Sequence, residues 1–322
     1  GIASVREITT ECARMGVHGL PVPGEFGGLG MDALTTVGVL ESLGYGCQDN
    51  GLVFSINAHM WTLEMPFLGF GTDAQKKKCL PKRTSGEWSG ANAMSEPGSG
   101  SDAYSISTTA KKKGDVYLLN GSKVFCSNGP VADVYLAFAN VDPALGPNGV
   151  TGFLVERTAP GLSLGKHTEK MGLRTSPMCE VFFEDCEVPE ANRLGREGAG
   201  KMLFADSMSW ERGSILTSAV GTMRRLLETS VEYAKTREQF GQPIGKFQMI
   251  QSRLVDMKMR LETARALLYQ SAYQKARGKS VYLEAALAKL YISESWIECA
   301  RHALQIHGGY GYTVEYQVER EL

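Results

Sequence analysis

The chain has 322 residues, 43% of them apolar and 21% charged, with a formal net charge of −1. Such a chain can bury a sizeable core as one large layered unit or two to three subdomains. Its near-neutral charge gives no ground for nucleic acid or an anionic membrane as partner, no apolar run reaches transmembrane length, and seven scattered cysteines without a C-x-x-C pair speak against a disulfide framework or a zinc site.

The segment 1–88 reads as a helical domain, truncated at its start. Ile8, Cys12 and Met15 mark a helical face. The Gly- and Pro-rich stretch from Leu20 to Gly30 interrupts it, and helical patterns resume over Ala33–Leu43, Phe54–Phe70 and Asp73–Leu80. His59 sits in an apolar helical stretch and is expected to hydrogen-bond within the core. No histidine has metal-ligand spacing, so no metal is expected.

From about Ser89 the period changes, and 89–196 reads as a middle β domain, a small barrel or sandwich. Val116–Leu119 and Lys123–Cys126 flank Asn120-Gly121, which predicts a hairpin. Further strands are expected at Val134–Phe138, Gly152–Val155 and Val181–Phe183.

The segment 197–322 reads as a helical bundle, truncated at its end. One long helix is expected between Gly198 and Arg237, with Leu216, Ala219, Met223, Leu226 and Ser230 on one face; unbroken, it spans roughly 55–60 Å. A second seam carries Phe247, Ile250, Leu254, Met257, Leu261, Ala264 and Leu268. A third carries Ala286, Leu290, Ser293, Ile297, Ala300 and Leu304. The 3/4 alternation is that of bundle packing. The order helical, β, helical argues against a Rossmann fold and gives an α+β multi-domain class.

Four segments have the composition of binding or catalytic elements. Met94-Ser95-Glu96-Pro97-Gly98-Ser99-Gly100-Ser101-Asp102 crowds backbone N–H groups and hydroxyls as an anionic ligand requires, but also suits a surface turn. In Thr236–Ile244, Arg237 suits a phosphate and Phe240 an aromatic ring; a helix C-terminus and connection fits as well. Gln305-Ile306-His307-Gly308-Gly309-Tyr310-Gly311-Tyr312 permits close approach of a ligand or simply ends a helix. Ser209-Trp210-Glu211-Arg212 sets an acid beside a large aromatic, as a desolvated base or an ordinary helical Glu–Arg pair.

Taken in order, these segments resemble the acyl-CoA dehydrogenase family over essentially the whole chain. The resemblance includes Pro23-x-x-Phe26-Gly27-Gly28-x-Gly30, the loop at 94–102, Leu119-Asn120-Gly121-Ser122-Lys123, Met171-Gly172-Leu173-Arg174, Val181–Asp185, Arg237-x-x-Phe240-Gly241 and Gly308-Gly309-x-Gly311-Tyr312. It implies an N-terminal helical domain, a middle β domain and a C-terminal four-helix bundle. It also implies FAD at a subunit interface of a homotetramer or homodimer. Met94, Ser95, Gly100 and Ser101 would line the flavin and the acyl-CoA entrance, Ser101 and Met208 touching substrate. Phe125 and Ser127 would flank the isoalloxazine. Arg237, Gln239, Phe240, Gln305, Gly308 and Gly309 would hold the remainder of the cofactor, and Arg212 would support the active-site helix. Position 125 is Phe where Trp is common, and Ser95 and Ser127 stand where Thr is common; these departures put flavin potential and substrate shape in doubt.

The implied reaction is α,β-dehydrogenation of an acyl thioester, with electrons passing to electron-transfer flavoprotein, in the cytoplasm or a mitochondrial matrix. The family places its catalytic Glu either beyond the Gly-Gly-x-Gly loop, past residue 322, or on the helix just before Arg, where Glu211 stands. The segments Gly46–Phe54 and Ser209–Arg212 are also similar to prolyl-carrier-protein oxidases of secondary metabolism, which keeps a carrier-tethered acyl or aminoacyl substrate open. A non-catalytic, flavin-free member of the fold is the third alternative.

Overall fold

The structure, a computed structural model, describes residues 2–322. Five helices come first: α1 (Ile2–Arg14), α2 (Ala33–Gly46), α3 (Asn50–His59), α4 (Met65–Phe70) and α5 (Asp73–Thr84). A π-helical turn, Met60–Glu64, joins α3 to α4. Caps fix two of the starts. Asp32 accepts from the Thr35 N–H ahead of α2, and Thr72 and Gln75 form a reciprocal capping box at α5. Of the expected helical face only Cys12 is buried; Ile8, and Met15 just past the end of α1, are exposed.

Eight strands follow: β1 (Gly90–Ala93), β2 (Thr109–Lys113), β3 (Val116–Ser127), β4 (Val134–Asn140), β5 (Val150–Glu156), β6 (Leu162–Leu164), β7 (Met178–Pro189) and β8 (Arg193–Leu194). They make one sheet in the order β6-β7-β3-β2-β4-β5-β8, with β1 parallel to β4. Every residue of β4 is buried, because apolar clusters cover the sheet on both faces. One cluster includes Tyr117, Phe153 and Val181; the other includes Phe67, Phe138 and Leu203.

The expected hairpin at Asn120-Gly121 does not form. β3 runs straight through it, and the dipeptide makes a β-bulge against β7, the register shifting between Leu119 and Gly121. Two tertiary contacts override the local turn signal. Asn120 exchanges hydrogen bonds with Asp185, and a Cβ at Gly121 (φ 148°) would lie 2.4 Å from Thr108 Oγ1. Gly here serves close approach rather than chain reversal. The reversal occurs at Gly114-Asp115, where Lys113 pairs with Val116 and Gly114 has φ 63°.

After the sheet come α6 (Gly200–Ser214), α7 (Thr217–Thr236), a two-residue-per-strand ribbon β9 (Glu238–Gln239) and β10 (Gln242–Pro243), α8 (Gln248–Ala276) and α9 (Tyr282–His307). The single long helix expected before Arg237 is therefore two, broken at Ile215-Leu216 after Gly213 and Ser214, where poor helix formers cluster. The chain divides into two compact units, one of residues up to Met31 with Gly51–Glu211, the other of Asp32–Asn50 with Arg212–Leu322.

In the second unit α2, α7, α8 and α9 bury one shared core. The fourth helix of this bundle thus comes from 33–46, within the segment assigned to the N-terminal domain from sequence. Gly44 and Gly221 allow α2 and α7 to touch: a Cβ on Gly44 would meet Ser218 O at 2.0 Å, and one on Gly221 would meet Glu41 O at 2.0 Å. The α8 seam is buried as expected from Met257 to Leu268. The α9 seam is not the expected one. Ala285, Ala288, Ile292, Ser295, Cys299, Ala303 and Ile306 face the core, and of the expected seam Ala300 joins them, whereas Leu290 and Ile297 are exposed. α9 is apolar on two faces, and the smaller residues are the ones that pack.

Candidate functional site

Loop 94–102 leaves β1 and closes on itself. The Glu96 N–H donates to Ser99 O and the Ser99 N–H to Glu96 O, and Ser99 Oγ donates to Asp102 O. Glu96 is buried and accepts from both sides. Oε1 takes the Thr108 N–H at 3.0 Å, Thr108 Oγ1 at 2.5 Å and Lys123 Nζ at 2.8 Å. Oε2 takes the Ser107 N–H and Ser107 Oγ. Burial pushes the Glu96 carboxyl upward, but the Lys123 ammonium and these hydrogen bonds outweigh it and hold it at about 2. Ser95 is half-buried, Gly100 and Ser101 are exposed, and the Met94 side chain points into the core rather than outward.

Beside this loop β3 breaks register a second time, between Lys123 and Cys126. Phe125 sits in the bulge with φ 56° and is 68% exposed. A bulky residue in that region is strained, and bulges re-aim side chains next to functional sites. Ser127 follows, half-buried. Asn128 then fixes the strand end, its N–H donating to Pro177 O and its amide to Ser55 O.

Glu211 lies in the last turn of α6, half-buried, and accepts from Ser207 Oγ at 3.2 Å. Its neighbour Trp210 stacks on buried Trp61, centroids 5.5 Å apart and planes 7° apart. Trp61 Nε1 is held by Asn57 Oδ1. Met208 is half-buried on the same helix, and Arg212 is exposed.

The second unit carries a pocket of about 610 Å³, lined among others by Arg237, Gln239, Phe240, His307, Gly308, Gly309 and Tyr310. Phe240-Gly241 is the turn of the β9–β10 ribbon, both at positive φ (55° and 74°), as in a type I′ turn. Phe240 is thus another strained aromatic, and it is 94% exposed. The Arg237 guanidinium lies 5.7 Å from the Tyr310 ring centre. Gln305 is exposed outside the lining, its carbonyl taken by the Gly308 N–H.

Three family domain models match: acyl-CoA dehydrogenase N-terminal domain over residues 2–87, middle domain over 91–186 and C-terminal domain over 198–322. The chain belongs to the acyl-CoA dehydrogenase family. An acyl-CoA dehydrogenase of Bacillus subtilis is 42% identical over 312 residues, 96% of this chain and 82% of that protein. The crystal structure of the prolyl acyl carrier protein oxidase AnaB is similar with a TM-score of 0.97 and 51% identity, covering 98% of this chain and 84% of that one. The FAD complex of PigA is similar with a TM-score of 0.96 and 40% identity, covering 98% and 83%.

As in its family, this acyl-CoA dehydrogenase is a flavoprotein that takes FAD. The residues fit that cofactor. A pocket of this size suits a small-molecule group, Arg237 offers a fork to phosphate, and Phe240 and Tyr310 offer faces to an aromatic ring. The motif reading passed over Glu96, although it lies inside the signature loop, and the role of Lys123. Their pairing is invisible in sequence because 27 residues separate them. It also passed over Tyr310 as a wall of the pocket.

Proposed function

We propose that this chain catalyses the FAD-dependent α,β-dehydrogenation of an acyl-CoA thioester, with Glu211 as the base that takes the α-proton. The observation that carries the reading is a flavin-type wall and a carboxylate in one compact unit: Phe125 displayed beside loop 94–102, and Glu211 hydrogen-bonded by Ser207 on the helix that Trp210 anchors to Trp61. Bound FAD supplies the acceptor for the hydride that leaves the β-carbon. The hydroxyls of Ser95 and Ser127 would donate toward the ring, Phe125 would cover it, and Ser101 and Met208 would border the thioester, with Arg212 following Glu211 in sequence. The Ser207 hydroxyl donates to Glu211 Oε1 and orients it; a carboxylate acting as base must be free of a proton.

The pocket of Arg237, Gln239, Phe240, Gly308 and Gly309 would hold the pyrophosphate and adenosine of an FAD shared with a second copy. Self-association is supported by an apolar stripe on α9, where Leu283, Leu287, Leu290 and Ile297 are 68, 48, 60 and 43% exposed. A contiguous stripe of that kind marks a binding face, and its 3/4 spacing suits a second helix. The family resemblance supplies electron-transfer flavoprotein as the acceptor. Free thiols at all seven cysteines fit the cytoplasm or a mitochondrial matrix.

A second reading, dehydrogenation of a prolyl-like group on a carrier protein, is favoured by the 51% identity to a prolyl carrier protein oxidase. Anaerobic mixing of the FAD-loaded protein with a panel of acyl-CoAs and loaded carriers separates the two. Bleaching of the flavin by a CoA ester supports the first. Bleaching only by loaded carrier, with rapid recovery in O₂, supports the second.

A further inference from the structure

Glu96 and Lys123 join the loop that leaves β1 to the middle of β3. Their side chains are 2% and 0% exposed. Lys123 Nζ donates to Glu96 Oε1 at 2.8 Å and to Met94 O at 3.1 Å. One residue on, the Val124 N–H donates to Ser95 O at 2.9 Å. Two residues on, Phe125 enters the strained bulge.

Stability alone does not account for the pair, since well-packed apolar residues of similar volume are commonly as stable as a buried ion pair or more so. Apolar packing does not, however, supply direction. Glu96 and Lys123 together make six hydrogen bonds of fixed geometry, to Met94, Ser107, Thr108 and each other. Glu96 has no part as a base: both oxygens are engaged, and the carboxyl is held at about 2.

We propose that Glu96 and Lys123 are a positioning pair for the flavin, pinning loop 94–102 to β3 and holding Phe125 in its outward, left-handed conformation. The proposal rests on the FAD reading above. A strained residue persists only where the structure around it over-determines it. Here Lys123 anchors the bulge on one side and Asn128, through Pro177 and Ser55, on the other. Loss of the first anchor releases Phe125 toward an ordinary extended conformation and lets Ser95 drift from β3.

The test uses the FAD-loaded holoenzyme and the double variant Glu96→Gln/Lys123→Met, which removes both charges and leaves no buried ion unpaired. Thermal unfolding reports the fold, and visible circular dichroism of the bound flavin reports its surroundings. The expected result is a folded variant with an altered visible spectrum and FAD bound roughly tenfold more weakly or worse. Glu96→Asp keeps the charge and shortens its reach, so it supplies the same reading should the double variant fail to fold; it too is expected to shift the flavin spectrum. A folded variant of either kind with the wild-type flavin spectrum and affinity overturns the positioning role. A wild-type protein that takes up no FAD overturns the flavin reading itself, and the proposal with it.

Discussion

Glu64, in the π-helical turn, is fully buried with Arg83, His59 and His18, which are 0, 2 and 4% exposed. The His18 and His59 rings lie 4.6 Å apart. His59 Nε2 is 3.1 Å from Glu64 Oε1 without hydrogen-bond alignment, and Arg83 donates to His59 O. The core hydrogen bonding expected of the His59 ring is not met at Nε2, which is buried without a hydrogen-bond partner. Glu64 and Arg83 were not legible, because their burial depends on three segments meeting. Burial raises the Glu64 carboxyl from 4.5 to about 7, with Arg83 and then His18 opposing. A raised carboxyl binds its proton more tightly in the folded state, so its contribution is full below pH 4.5 and is lost as pH rises to 7. Relative to wild type, Glu64→Gln is therefore expected to gain in melting temperature from pH 5 to pH 8, by about 3 kcal/mol in stability. A constant difference across that range contradicts the assignment. Glu96 has the opposite sign. Held at about 2 against 4.5, it stabilises above pH 4.5 and loses that contribution as pH falls toward 2. Acid unfolding of Glu96→Gln should accordingly be less steep than that of wild type.

At the level of elements, periodicity located most helices and strands, and failures arose where tertiary contact outranked local signal. Asn120-Gly121 carries the stronger turn signal, yet Asp185 and Thr108 convert it into a bulge, while Gly114-Asp115 makes the turn. Gly121→Ala forces Thr108 away from Glu96 and is expected to destabilise by about 1–3 kcal/mol in denaturant unfolding; an unchanged midpoint tells against the close approach. Gly44→Ala should cost as much by parting α2 from α7, whereas a helix-interior Gly free of such contact would gain from Ala. The α9 error has a different origin: two apolar stripes one residue apart in register cannot be ranked without knowing which faces the bundle. The outward stripe yields its own prediction. Leu290→Glu is expected to leave folding within about ±0.5 kcal/mol and to reduce the particle mass seen by light scattering. An unchanged mass removes α9 from the interface.

On the scale of the molecule, the succession helical, β, helical bundle was readable from changes of period, and the family from the colinear motifs. Single motifs were too weak alone: loop 94–102 is a small-residue turn by composition, and what distinguishes it in the structure is the buried Glu96–Lys123 pair beside the displayed Phe125. The division into units was not readable, since nothing in residues 33–46 announces that they pack with helices beginning far downstream at Thr217, Gln248 and Tyr282. We propose Glu211 as the group that removes the α-proton in an FAD-dependent dehydrogenation. Its most direct test is anaerobic stopped-flow absorbance of Glu211→Gln beside wild type, both loaded with FAD and mixed with the thioester that bleaches wild type. Retained FAD with bleaching slowed by at least about 10²-fold is the expected result; bleaching at the wild-type rate would contradict it.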